Sequence, residues 1–151
     1  KTAKTEKKVI IKDCIADAFF QDALLQPEAH SVIVTTNLNG DYISDALAAQ
    51  VGGIGISPGA NINDNTGYAI FEATHGTAPA IAGQAKANPS ALILSGVMLF
   101  KYIGWDDVAA NIEHAISTAI TNKTVTEDFK MPNATIQTTT DFSDSIIQHL
   151  R

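Results

Sequence analysis

The chain has 151 residues, the length of about one domain, with 45% hydrophobic residues and a mean hydropathy of +0.06, values of a compact folded chain rather than a disordered one. Ten Lys and Arg stand against sixteen Asp and Glu, a formal net charge of −6 with no basic run beyond Lys7-Lys8, so nucleic acid and anionic membranes are poor partners. Charged residues, at 17%, fall short of the roughly 25% typical of soluble domains, which fits a surface normally covered by more protein.

The opening Lys-Thr-Ala-Lys-Thr-Glu-Lys-Lys lacks an initiator Met and the apolar core of a signal peptide, and is expected to begin within a longer polypeptide. Val9-Ile10-Ile11 reads as a β-branched strand, and Cys14 to Leu25, with apolar Ile15, Ala18, Phe19 and Leu24, as an amphipathic helix. Cys14, the one cysteine, excludes an internal disulfide and a Cys-type zinc site; it fits a reducing, cytoplasmic setting and is expected buried and inert. Ser31 to Thr36 is a second β-branched run, so strand, helix, strand gives the rhythm of an α/β layer. Asp41 to Val51 predicts a helix, and Gly52 to Asn65, with four Gly and three Asn, a loop. Gly67 to Ala73 predicts a strand and Thr74-His-Gly-Thr-Ala-Pro79 a tight turn. Asn88-Pro89 then caps a helix to about Ile103 that is apolar on nearly every side and therefore expected buried. Its apolar stretch, Ala91 to Phe100, is far short of the roughly 20 residues that span a bilayer. Another helix begins at Asp106 or Asp107, with Val108, Ile112, Ile116 and Ile120 spaced at four and Asn122 as its stop, and a last one runs near Ser143 to Leu150. Trp105 is expected to anchor packing between helices, while His30, His114 and His149 show no ligand spacing.

Three groups carry candidate chemistry. Asp41 and Asp45 share one face at a helix start if Asp41 to Val51 is helical; two like charges there repel, and a divalent cation would reverse the sign. Oxygen ligands point to Mg²⁺ or Mn²⁺, although carboxylates also favour helix starts without any metal. Asp17, within Ile15-Ala-Asp-Ala-Phe-Phe20, is a candidate third ligand or a solvent-facing side chain. The turn at His75 offers an imidazole, a flexible Gly and backbone N–H groups for an anion or a nucleotide base, or simply a hydrogen-bonded turn. Gly52 to Gly59 has neither the G-x-G-x-x-G spacing nor the Walker lysine, and so is not a phosphate loop of either kind.

In order, Asn37-Leu-Asn-Gly-Asp-Tyr-Ile-Ser-Asp45, Val51-Gly-Gly-Ile-Gly-Ile56 and Phe71-Glu-Ala-Thr-His-Gly-Thr-Ala-Pro79 resemble the isocitrate/isopropylmalate dehydrogenase family, in its isocitrate branch. Ile15 to Phe19, Asn88 to Ser95 and Lys123 to Thr126 extend the resemblance over nearly the whole chain. It implies the α/β, isopropylmalate dehydrogenase-like fold, a non-classical dinucleotide-binding fold, in a partial chain: residues 1–51 in the smaller, dimerisation and metal-side domain, and residues 52–151 in the larger, cofactor-binding domain. Asp41 and Asp45 then match the family's Mg²⁺ or Mn²⁺ ligands, with Asp17 completing the set from the neighbouring subunit of a homodimer. Ile54, His75, Gly76, Thr77, Ala78 and Asn88 match cofactor-binding positions, His75 beside the adenine. NADP-dependent bacterial relatives place Lys-Tyr where Ala80 and Ile81 stand, and Tyr and Arg where Glu127 and Met131 stand. The absent partners for a 2′-phosphate favour NAD over NADP, although the Asp that NAD-dependent members carry in place of Ala80 is also absent.

The activity implied is oxidative decarboxylation of isocitrate to 2-oxoglutarate, a tricarboxylic acid cycle step. The upstream segments that grip the substrate, and the catalytic Tyr and Lys, are not matched. The partners implied are isocitrate, the remainder of the same enzyme and a second copy. This chain alone, with no catalytic residue, is expected to be inactive. The alternatives are a catalytically silent nucleotide-binding or regulatory subunit, and a sister dehydrogenase of the isopropylmalate or tartrate type.

Overall fold

The computed structural model describes residues 9–151, so the basic pair Lys7-Lys8 and the opening segment lie outside the described residues. Backbone contacts group the chain into two compact units, Lys1–Leu47 and Ala48–Arg151.

In the first unit, helix α1 (Ala16–Leu25) brings Phe19 and Ala23 against Ile43 of helix α2 (Asn37–Val51), with Leu47 beside them. The small shared face is the core of this unit. The expected strands at Val9 to Ile11 and Ser31 to Thr36 do not form: both segments are irregular, with Val9 85%, Ile11 86%, Val32 83% and Val34 93% exposed. A β-branched run becomes a strand only when a neighbour takes its backbone hydrogen bonds, and none of the described residues pairs with these. Cys14 is exposed rather than buried because the apolar segment around it has nothing to pack on. Helix α2 starts four residues earlier than expected, at Asn37, because the amide of Gly40 already bonds the carbonyl of Thr36 at 2.9 Å.

The second unit holds a two-stranded antiparallel hairpin, β1 (Pro58–Ile62) and β2 (Ala69–Ala73), with Ala60 opposite Phe71. Strand β1 falls where a loop was expected, since its Gly, Ala and Asn residues carry almost no β signal of their own. Helix α3 (Ser90–Tyr102) packs on both strands. Ser95, 1% exposed, pins this junction: its hydroxyl lies 2.8 Å from the carbonyl oxygens of Glu72 and Ala91, and accepts the Gly59 N–H at 3.3 Å. Helix α3 is only partly covered, with Leu92 64% exposed, so its all-round apolar character overstated its burial.

Helix α4 (Asp106–Thr121) turns Ala115, Ile116 and Ala119 toward Phe142 and Ile146 of helix α5 (Thr139–Ile147), and Ile93 and Leu94 of α3 close this main core. The end of α4 at Asn122 is as the sequence predicts, and of the residues spaced at four Ile116 is buried with Ile112 and Ile120 packed beside it, whereas Val108 is 41% exposed and Ala109 takes the buried place. Between α4 and α5, β3 (Thr124–Val125) and β4 (Thr135–Ile136) pair in parallel, with Val125 fully buried. Helix α5 begins earlier than expected because the Thr138 hydroxyl caps the Asp141 amide at 3.2 Å. Trp105, at the N-cap of α4, stacks on Phe100 of α3 with ring centroids 5.8 Å apart, so it packs between these helices as expected, but at their surface, 56% exposed. No helix among the described residues is long and apolar enough to cross a membrane.

Candidate functional site

A cleft of about 720 Å³ opens in the second unit, within the size range of small-molecule sites. Its walls come from segments far apart in sequence. Ile54 and Gly55 belong to a one-turn helix, Ile54–Ile56, that follows Gly52 and Gly53. His75, Gly76, Thr77 and Ala78 leave the end of β2, and Ile81 closes the one-turn helix Pro79–Ile81. Lys86, Ala87 and Asn88 lead into α3, Asp128 comes from the one-turn helix Glu127–Phe129, and Thr139 and Thr140 begin α5.

Local chemistry holds this wall in shape. Ala78 and Ala85, both lining the cleft, have φ of 44° and 51°, the left-handed region that non-glycine residues seldom adopt. Such backbone persists only where its surroundings fix it, and α5 supplies part of the restraint. The Thr139 amide donates to the Ala85 carbonyl at 2.8 Å and its hydroxyl to the Ala87 carbonyl at 2.6 Å. Nδ1 of His75 lies 3.0 Å from the Gly76 carbonyl, so the tautomer protonated at Nδ1 donates there and leaves Nε2 as an acceptor. Asn88, 6% exposed, accepts the Ser90 N–H at 2.9 Å and donates to Asp128 at 3.0 Å.

The structure thus brings Ile54, His75, Gly76, Thr77, Ala78, Ile81 and Asn88 onto one cleft, while Ala80 and Glu127 do not line it. Glu127 instead forms an exposed ion pair with Lys130 at 3.3 Å, so the repulsion of a 2′-phosphate that an inward Glu127 would exert does not arise in this arrangement. Sequence reasoning missed Gly55, although it lies within the Val51 to Ile56 motif, and Asp128, Thr139 and Thr140, which no local motif singles out. It also missed Lys86, a cation on the cleft wall outside the four positions 80, 81, 127 and 131.

Asp41 and Asp45 stand one turn apart on α2 and are exposed, but in its second and third turns, beyond the reach of the helix N-terminal dipole expected to offset their repulsion. Asp17 is exposed on the first turn of α1, where its carboxylate accepts the Ala18 N–H at 2.6 Å, so no burial cost requires a partner for it. Among the described residues, no group of three or more His, Cys, Asp or Glu side chains could hold a metal ion.

Comparison with known proteins agrees with the motifs. The isocitrate/isopropylmalate dehydrogenase family matches residues 1–146, and the chain belongs to that family. It is 56% identical over 151 residues to the isocitrate dehydrogenase [NADP] of Staphylococcus epidermidis, covering 99% of this chain and 36% of the relative. It is 59% identical over 144 residues to that of Streptococcus mutans, covering 95% and 37%. The crystal structure of isocitrate dehydrogenase from Methylococcus capsulatus superposes with a TM-score of 0.88 at 38% identity, over 97% of this chain and 42% of that one. A β-decarboxylating dehydrogenase from Thermococcus kodakarensis gives a TM-score of 0.79 at 38% identity, over 98% and 42%. The chain therefore spans a little over a third of the curated relatives it matches.

Proposed function

We propose that this chain carries the metal- and coenzyme-binding part of an isocitrate dehydrogenase, converting isocitrate to 2-oxoglutarate with a nicotinamide dinucleotide and Mg²⁺ or Mn²⁺. The observation that carries the proposal is the cleft: seven residues from three separate segments meet on it in a chain 56% identical to a named isocitrate dehydrogenase. His75 offers a flat ring for a purine, with Nδ1–H engaged on the Gly76 carbonyl, and the turn at Thr77 and Ala78 offers backbone N–H groups. The apolar walls at Ile54 and Ile81 exclude water from the bound ring.

Asp41 and Asp45 fit the metal by donor chemistry: hard oxygens one helical turn apart, with no cationic partner among the described residues. With Asp17 of a second copy they would hold the cation. When bound, it supplies Lewis acidity at the substrate hydroxyl and at the negative charge left as CO₂ departs. Residues 1–51 would belong to the smaller, dimerisation domain and residues 52–151 to the larger, coenzyme-binding domain. The exposed runs at Val9 to Ile11 and Val32 to Val34 support further protein, which also supplies the substrate-gripping residues, as a partner.

The coenzyme proposed is NAD, because Ala80, Ile81 and Met131 offer no cation or phenol to a 2′-phosphate. NADP is the second reading, favoured by the printed names of the relatives and by Lys86 on the cleft wall. Titration calorimetry of the chain with NAD and NADP, with and without Mg²⁺, tests both. Saturable NAD binding tighter than NADP is expected; no dinucleotide binding at all overturns the proposal. The chain alone is expected to form no NADH from isocitrate.

A further inference from the structure

One carboxylate lines the cleft, that of Asp128, and although this side chain is exposed both of its hydrogen-bond partners are buried. Oδ1 of Asp128 accepts the hydroxyl of Thr126 at 2.5 Å, and Oδ2 accepts Nδ2 of Asn88 at 3.0 Å. Thr126 is fully buried and Asn88 is 6% exposed. A Cβ added at Gly55 would lie 2.7 Å from Oδ2 of Asp128 and 3.0 Å from Cβ of Asn88, so the backbone of a third segment closes on the same point. One side chain therefore ties the 54–56 turn, the entry to α3 and the 127–129 turn together.

The bonding also fixes which way the Asn88 amide faces. Its oxygen takes the Ser90 N–H and its nitrogen meets the carboxylate. A flipped amide would set nitrogen against the Ser90 N–H and oxygen against Asp128, two repulsions at an amide that is itself only 6% exposed. A neutral acceptor at residue 128 would relax that second restraint.

We propose that Asp128 is a positioning residue of the coenzyme cleft, locking Asn88 and the Gly55 turn so that this edge meets the purine end of the dinucleotide in one conformation. This rests on the cleft being the coenzyme site. Asp128 acts through its neighbours, by geometry and not by its charge at the ligand. The distinction can be measured, because the pair can be exchanged. In the double variant N88D/D128N, Nδ2 of the new amide donates to the new carboxylate, whose other oxygen still takes the Ser90 N–H, while Oδ1 at 128 still takes the Thr126 hydroxyl.

The test is calorimetry of the full chain with NAD and with AMP, which carries the purine end alone, on the unsubstituted protein, D128N and the exchange variant. D128N is expected to weaken both ligands about tenfold, the size of one lost charge-assisted hydrogen bond, and the exchange is expected to restore both to within about threefold. D128N binding like the unsubstituted chain overturns the proposal. So does an exchange variant that recovers the melting temperature but not the affinity, since the ligand then depends on the native group at 88 or at 128 and not on the geometry alone. If D128N does not fold, the exchange variant, with every hydrogen bond restored, decides alone, and its failure to fold or to bind counts against the proposal. If the unsubstituted chain binds neither ligand, the coenzyme reading of the cleft fails first and this proposal with it.

Discussion

Replacing Ala80 by Lys and Ile81 by Tyr should turn coenzyme choice toward NADP. Both residues lie in the one-turn helix Pro79–Ile81, where Ile81 faces the cleft and Ala80 is exposed beside it. A lysine ammonium on a 2′-phosphate makes a charge-assisted hydrogen bond worth about 1.5–3 kcal/mol, and the exposure of position 80 argues for the lower end. A tyrosine hydroxyl adds about 1 kcal/mol, which brings the pair to about 2.5 kcal/mol, roughly a 70-fold change in the NADP to NAD affinity ratio. Calorimetry at two salt concentrations checks this, because the gain should shrink as added salt screens the exposed lysine. The reasoning fails if the ratio does not move. It fails equally if the unsubstituted chain already prefers NADP and Lys86→Ala abolishes that preference, for then the cation that matters is the one at 86.

Two other substitutions probe separate parts of the structure. Phe142→Ala removes the largest fully buried side chain of the main core and should cost about 3–5 kcal/mol, seen as a loss of the cooperative thermal transition or a fall of more than 10 °C; a fall of one or two degrees would show that α5 does not hold this core. Asp45→Asn should raise stability by about 0.2–0.5 kcal/mol, since it relieves the repulsion of Asp41 one turn away, while weakening Mn²⁺ binding about tenfold or more by calorimetry. Unchanged Mn²⁺ affinity would leave these aspartates as ordinary helix surface.

Much of the second unit could be read from residue types, because its signals are local. The spacing of four in α4, the Asn88-Pro89 entry to α3 and the turn at His75 each depend on a few neighbouring residues, and each element is present. What could not be read depends on distant partners. Strand β1 exists because β2 and Ser95 accept its backbone groups, and the β-branched runs of the first unit stay irregular because nothing described pairs with them. The same holds at the cleft. His75 and Asn88 announce themselves through motifs, whereas Asp128 and Thr139 act through contacts across 40 and 52 residues of sequence, for which no spacing rule exists.

Gly52 joins the glycine segment to the cleft by sterics alone, and a single methyl group there tests how the wall is supported. Its φ of +134° lies in a region that side chains rarely adopt, and a Cβ would fall on the ring of Phe129, touching Cε1, Cζ and Cδ1. Backbone strain of this kind costs about 1–3 kcal/mol, and the ring cannot simply step aside without shifting the one-turn helix that also carries Asp128. Gly52→Ala should therefore lower the melting temperature and weaken AMP binding together, although residue 52 itself does not line the cleft. Phe129→Leu in the same chain, which takes away the ring that the methyl meets, should return part of the affinity while leaving the backbone strain in place. A Gly52→Ala chain that melts lower yet binds AMP as before would mean that the 127–129 turn is held by Thr126 and Asn88 without help from the glycine, and that the two ends of the wall are mechanically independent.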